Sequence, residues 1–252
     1  MTRKRLVIGN WKMYIESAES AKDFARVLKR KVRGISGVEV ALAVPAPFIP
    51  VVSAMLESSA VRVGAQTVSG LSGAQTGGVS GAMVKTAGGT FALVGHSERR
   101  ALGEDNVAVH GQLVAAASAG LVPVLCVGEL ERTEDGGHFS FIAEQIRSAL
   151  SGAQSLAGKL VVAYEPVWAI GKHADSALTS AEVREMAIFI RKTLADVLDR
   201  KSALKVPVLY GGSVEPANAA ALIAEGDIAG LLVGHASADV TSFVEIISAC
   251  KK

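Results

Sequence analysis

Eight short β-branched runs recur along the 252-residue chain, and each is followed by a stretch with helical spacing. The runs are Arg5–Ile8, Val38–Val44, Val61–Ala65, Phe91–Val94, Val122–Val127, Leu160–Tyr164, Val206–Tyr210 and Gly230–Val233. Apolar residues return at threes and fours in Ser17–Val32, Val107–Ala119, Phe139–Leu150, Ser180–Leu198, Pro216–Glu225 and Ser237–Ala249, and more weakly in Pro47–Ser58 and Ser80–Thr86. Ser180, just ahead of Glu182, marks one helix start, and Pro216 sits where a first helical turn tolerates proline. No composition shift or Pro/Ser-rich linker divides the repeats, so one domain over residues 1–252 is expected. The expected fold is α/β, a closed eight-stranded parallel (β/α)8 barrel.

The main competitor, a doubly wound nucleotide fold, wants a Gly-x-Gly-x-x-Gly turn, yet among 26 glycines no two lie at positions i and i+2. A lysine-bearing P-loop is absent as well. Half the residues are apolar but only 5% are aromatic, so the core must be built from Ala, Val, Leu and Ile. That suits a parallel sheet buried on both faces.

A formal charge of +2 with scattered basic residues gives no basis for nucleic-acid binding, and Lys29-Arg30-Lys31 reads as a solvated helix end. Cys126 and Cys250 match neither a metal site nor a disulfide framework. Leu6-Val7-Ile8 is too short for a signal-peptide core, and no run approaches the roughly 18 apolar residues of a membrane span. The expectation is a cytoplasmic protein that binds neither membrane nor nucleic acid.

In such a barrel, residues just past each strand converge on one mouth. The segment Val162-Ala163-Tyr164-Glu165-Pro166 delivers a carboxylate from an apolar strand, and Trp168-Ala169-Ile170-Gly171 behind it makes a loop able to cover a ligand. A structural ion pair would equally explain a lone acid there. Lys12 follows the first strand, where it is either an ordinary surface lysine or a cation facing an anionic substrate. His96 follows Gly95 and precedes a helical turn, whose N–H groups disfavour the imidazolium. Gly211-Gly212-Ser213 and Gly234-His235-Ala236-Ser237 close adjacent strands seven and eight, where barrels often hold phosphate on backbone N–H groups. A carboxylate base, a neutral acid, a cation and a phosphate grip suit proton abstraction beside a carbonyl, with no cofactor and no metal.

Five segments, in order, carry a resemblance: Gly9-Asn10-Trp11-Lys12-Met13, Gly95-His96-Ser97-Glu98-Arg99-Arg100, Cys126-Val127-Gly128-Glu129, Ala163 through Gly171, and Tyr210-Gly211-Gly212-Ser213-Val214. From first strand to last helix the chain resembles the triosephosphate isomerase family, for which the TIM barrel is named. The resemblance implies interconversion of dihydroxyacetone phosphate and D-glyceraldehyde 3-phosphate through an enediolate. It makes Glu165 the base, His96 the neutral electrophile, Lys12 and Asn10 the groups that hold substrate, and Glu98 a supporting acid beside Lys12. The backbone N–H groups of Gly171, Ser213, Gly234 and His235 would hold the phosphate. Loop closure would keep water from an intermediate that can expel its phosphate. Trp168 would move with that loop, with Glu129 as its polar partner, and Tyr210 would bond the closed loop. The segment Gln66–Ser80 resembles a loop that inserts into a neighbouring subunit, which implies a homodimer. An isomerase of another small ketose phosphate, such as a tetrulose phosphate, would use the same motifs.

Three positions depart from the family pattern. Lys172-His173-Ala174-Asp175-Ser176 replaces the usual Thr-Gly-Lys continuation, which alters the second hinge of the loop. His235 stands where a second glycine is common, so its N–H serves phosphate only if its φ is negative. Gly78 replaces a glutamate of the subunit-contact loop and, with Tyr14 at an expected interface position, bears on dimer strength.

Overall fold

A computed structural model describes residues 4–171 and 178–251, so Lys172, His173, Ala174, Asp175 and Ser176 of the altered hinge lie outside the described residues. The strands are β1 (Arg5–Asn10), β2 (Val38–Val44), β3 (Arg62–Ala65), β4 (Phe91–Val94), β5 (Val122–Val127), β6 (Val161–Tyr164), β7 (Val208–Tyr210) and β8 (Gly230–Val233). All neighbours pair in parallel, and β8 returns to β1 with Leu6 opposite Gly230 and Gly9 opposite Val233, closing the barrel. The helices are α1 (Ala18–Lys31), α2 (Ile49–Met55), α3 (Gly81–Thr86), α4 (Ser97–Ala101), α5 (Asn106–Ser118), α6 (Gly137–Leu150), α7 (Ser180–Val197), α8 (Arg200–Ala203), α9 (Pro216–Glu225) and α10 (Val240–Ala249).

Alternation along each strand divides the core in two. Leu6 and Ile8 of β1, Ala41 and Ala43 of β2, Leu93 of β4 and Leu232 of β8 fill the barrel interior. Their neighbours Val7, Leu42, Ala92 and Leu231 point outward and pack with helix residues such as Leu28, Leu113 and Phe243. Burial on both faces explains why these segments read as continuous apolar runs.

Side-chain caps move several element ends from their expected positions. Helix α7 is capped by Thr179, not Ser180, because Thr179 accepts the Glu182 N–H while the Glu182 carboxylate accepts the Thr179 N–H. The last helix does not run from Ser237: a 3-10 turn at His235–Ala238 comes first, and Asp239 then accepts the Ser242 N–H at 2.8 Å to start α10. Pro47–Ser58 is likewise a 3-10 turn at Ala46–Phe48 running into α2. Lys29, Arg30 and Lys31 occupy the last turn of α1, where cations complement the helix dipole.

The fold buries four weak acids in neutral form. Desolvation lifts the thiols of Cys126 and Cys250, the latter to about 12, and the phenols of Tyr164 and Tyr210. A raised folded pKa means that the folded state keeps protons the unfolded chain loses, so stability is complete below the unfolded values and declines as pH rises toward the folded ones. The melting temperature should therefore hold to about pH 8 and fall steadily from about pH 9 to 11, each such group contributing up to about 1.4 kcal/mol per pH unit. Thermal melts across that range check this; a flat profile would contradict neutral burial.

Candidate active site

The carboxyl ends of β1, β4, β6, β7 and β8 surround a cavity of about 730 Å3 lined by Asn10, Lys12, His96, Glu165, Gly171, Ser213, Gly234 and His235. Every expected site residue except Glu98 lines it, and Glu98 reaches it through Lys12. The Lys12 Nζ donates to Glu98 Oε1 at 2.5 Å, with the lysine side chain 18% exposed and the glutamate 56%. An ion pair this open adds little stability, and its effect is to aim the ammonium.

Lys12 is aimed by its backbone as well. It adopts φ 46, a left-handed conformation uncommon outside glycine. Two amide side chains hold it there: the Lys12 N–H donates to Asn10 Oδ1 at 3.1 Å, and Gln66 Nε2 donates to the Lys12 carbonyl at 2.8 Å. Gln66 went unnoticed as a site residue in the sequence, although it follows β3 directly, at a position the barrel directs toward the mouth.

Gly95 takes φ 69, a turn that suits glycine, and presents His96 as the N-cap of α4. The His96 Nδ1 accepts the Glu98 N–H at 3.2 Å. A ring nitrogen that accepts carries no proton, so the hydrogen-bond pattern assigns the neutral tautomer with its proton on Nε2. That Nε2 lies 3.4 Å from Glu165 Oε1. Glu165 is only 2% exposed, and its Oε2 accepts the Ser97 N–H at 3.1 Å. Imidazole and carboxylate therefore meet across α4's first turn, where the Ser97 backbone N–H also reaches the carboxylate.

The Glu165 backbone is fixed from behind. A Cβ on Gly128 would sit 1.8 Å from the Glu165 carbonyl oxygen, so only glycine fits. Buried Gln145 pins that glycine, accepting the Gly128 N–H at 2.8 Å and donating to its carbonyl at 3.2 Å. Gly128→Ala should cost about 3 kcal/mol or more, read as a lower urea midpoint with unchanged slope.

Glu129, 1% exposed, accepts from Trp168 Nε1 at 2.9 Å and Tyr164 Oη at 2.8 Å, and Arg132 Nε approaches at 3.4 Å. The Trp168–Glu129 pairing expected from the sequence is present; Tyr164 and Arg132 were not foreseen. Tyr210 is fully buried, with its hydroxyl under Gly212; burial raises its pKa, and the Leu178 backbone beyond the loop offsets part of that rise.

At the β7–β8 end the glycine turns leave backbone facing the cavity. Gly234 has φ -85 and opens the 3-10 turn that carries His235, which does not take a positive φ. His235 thus meets the requirement of a φ that is not positive. Ser237 Oγ donates to the Asn10 carbonyl at 3.2 Å, tying this turn to β1. Among the described residues no group of three His, Cys, Asp or Glu side chains is placed to hold a metal ion, and no helix is long and apolar enough to cross a membrane.

A closed parallel barrel whose mouth joins a buried carboxylate, a neutral histidine and a lysine to glycine turns defines an enzyme of the aldose–ketose isomerase class. Residues 5–250 match the triosephosphate isomerase family model. The chain is 44% identical to the triosephosphate isomerase of Thiobacillus denitrificans, covering 99% of this chain and 100% of that one. It is 42% identical to that of Carboxydothermus hydrogenoformans, over 97% and 98%. The solved triosephosphate isomerase of Bartonella henselae superposes with a TM-score of 0.86 at 32% identity, covering 98% of each chain. The chain belongs to the triosephosphate isomerase family.

Proposed function

We propose that this protein interconverts dihydroxyacetone phosphate and D-glyceraldehyde 3-phosphate, with Glu165 moving the proton between C1 and C2 and His96 serving the two oxygens. The observation that carries this reading is the 3.4 Å approach of His96 Nε2 to Glu165 Oε1 inside a cavity that also holds Lys12. Glu165 leaves the Ser97 N–H and takes a proton from the carbon beside the carbonyl. The electron pair moves onto the carbonyl oxygen, forming an enediolate. The Nε2–H of His96 donates to that oxygen, and Lys12 and Asn10 stabilise its charge. Protons then shift between the oxygens, and Glu165 returns its proton to the neighbouring carbon. Atoms and charge balance without a cofactor or metal.

Glu98 keeps Lys12 directed, and the N–H groups of Gly171, Ser213, Gly234 and His235 hold the phosphate. A single domain over residues 1–252 carries the whole site. The two free thiols fit a reducing, cytoplasmic setting. The Gln66–Ser80 segment joins two copies into a homodimer; exposed Leu71 on it, and exposed Met13 and Tyr14, are the apolar surface such a contact would cover. Light scattering at micromolar concentration should return twice 26.0 kDa, and a 26.0 kDa species would contradict the dimer. The substrate is tested by comparing kcat/KM on three- and four-carbon ketose phosphates. A clear preference for the four-carbon compound would replace the triose reading.

A further inference from the structure

We propose that the His235 imidazole is a titratable second cation for the substrate's phosphate, so that anion affinity rises as pH falls through the histidine range. The proposal rests on the reading that the β7–β8 end of the cavity takes the phosphate. His235 lines that cavity and is exposed, and its ring meets the Tyr14 ring edge-on, 5.1 Å between centroids at 79°. Tyr14 lines the same cavity, so the contact places the imidazole at its rim. The preceding residue packs beside the catalytic ammonium: a Cβ on Gly234 would lie 3.7 Å from Lys12 Cε and 4.0 Å from Nζ. An anion resting on the Gly234–His235 turn would therefore lie near Lys12 and beside the imidazole.

The surrounding charges leave the imidazole available. Lys12 is the nearby cation and is paired with Glu98 from α4. The Asp239 carboxylate is turned onto the Ser242 N–H at the start of α10. Glu215, ahead of α9, and Glu165, after β6, line the cavity. Among the described residues no carboxylate lies within ion-pair distance of His235. A dianion held on this turn beside the imidazole would be attracted by the protonated ring and not by the neutral one. Anion binding and proton uptake are thus linked. A unit charge about 5 Å from the anion in a water-exposed cleft changes affinity by about five- to tenfold.

Sulfate is the probe, because it stays dianionic where histidine titrates and so separates the protein's protonation from the substrate's. Its competitive inhibition constant against triose phosphate is measured between about pH 5.5 and 8.5 for the unaltered protein, His235→Gln and His235→Gly. Sulfate should bind the unaltered protein about five- to tenfold more tightly at the acidic end, and both variants should lose that extra dependence. Two substitutions guard against a folding defect in one of them. The same pH slope in all three proteins would overturn the role of His235 while leaving the phosphate site standing. If sulfate fails to compete in all three, the phosphate-site reading falls and takes this proposal with it.

Discussion

Glu165→Gln should lower kcat for triose phosphate interconversion by roughly two to four orders of magnitude, with KM much less affected. The side chain is 2% exposed and its Oε2 already accepts a backbone N–H from Ser97. Glutamine keeps the volume and can still accept that N–H through its amide oxygen, so the fold has no reason to suffer. What it lacks is a site to take the substrate's proton. Steady-state assays alongside thermal melts separate the two effects. Near-normal turnover in a folded variant would remove Glu165 from the role of base.

His96→Gln should cost roughly two to three orders of magnitude in kcat. Glutamine can place an amide donor near the position of Nε2, but it cannot relay a proton from one substrate oxygen to the other. The Nδ1 bond to the Glu98 N–H fixes the tautomer and holds the ring in register, and no flexible amide reproduces that hold. In the proposed mechanism both residues serve one proton circuit, so the double variant should be little worse than the more damaged single variant. Full additivity would mean that they act independently.

The barrel was legible because its physics is local: runs of Val, Ile and Leu alternate with helical spacing eight times, and a parallel sheet covered on both faces demands that pattern. The strand-end rule then brought Asn10, Lys12, His96, Glu165 and the two glycine turns to one mouth. What stayed hidden is long-range or conformational. Nothing near Glu165 in sequence announces that its carboxylate rests on the N–H of Ser97, 68 residues earlier. The left-handed backbone of Lys12 depends on Gln66, 54 residues away, and a lysine carries no local preference for that conformation. Helix starts moved by small amounts for a different reason: Thr179 and Ser180 are both competent caps, and only the reach of Glu182 back to the Thr179 N–H decides between them. Similarly, Ser237 looked like a helix start, but its hydroxyl donates to the Gly234 and Asn10 carbonyls, leaving Asp239 to cap α10.

The most direct measurement follows glyceraldehyde 3-phosphate in heavy water by proton NMR, in the presence of EDTA. Rapid formation of dihydroxyacetone phosphate is predicted, with solvent deuterium appearing at its C1, no loss of rate to the chelator, and collapse of the exchange in Glu165→Gln. Absence of isomerisation, activity that requires a metal, or undiminished carbon exchange without the Glu165 carboxylate would contradict the account.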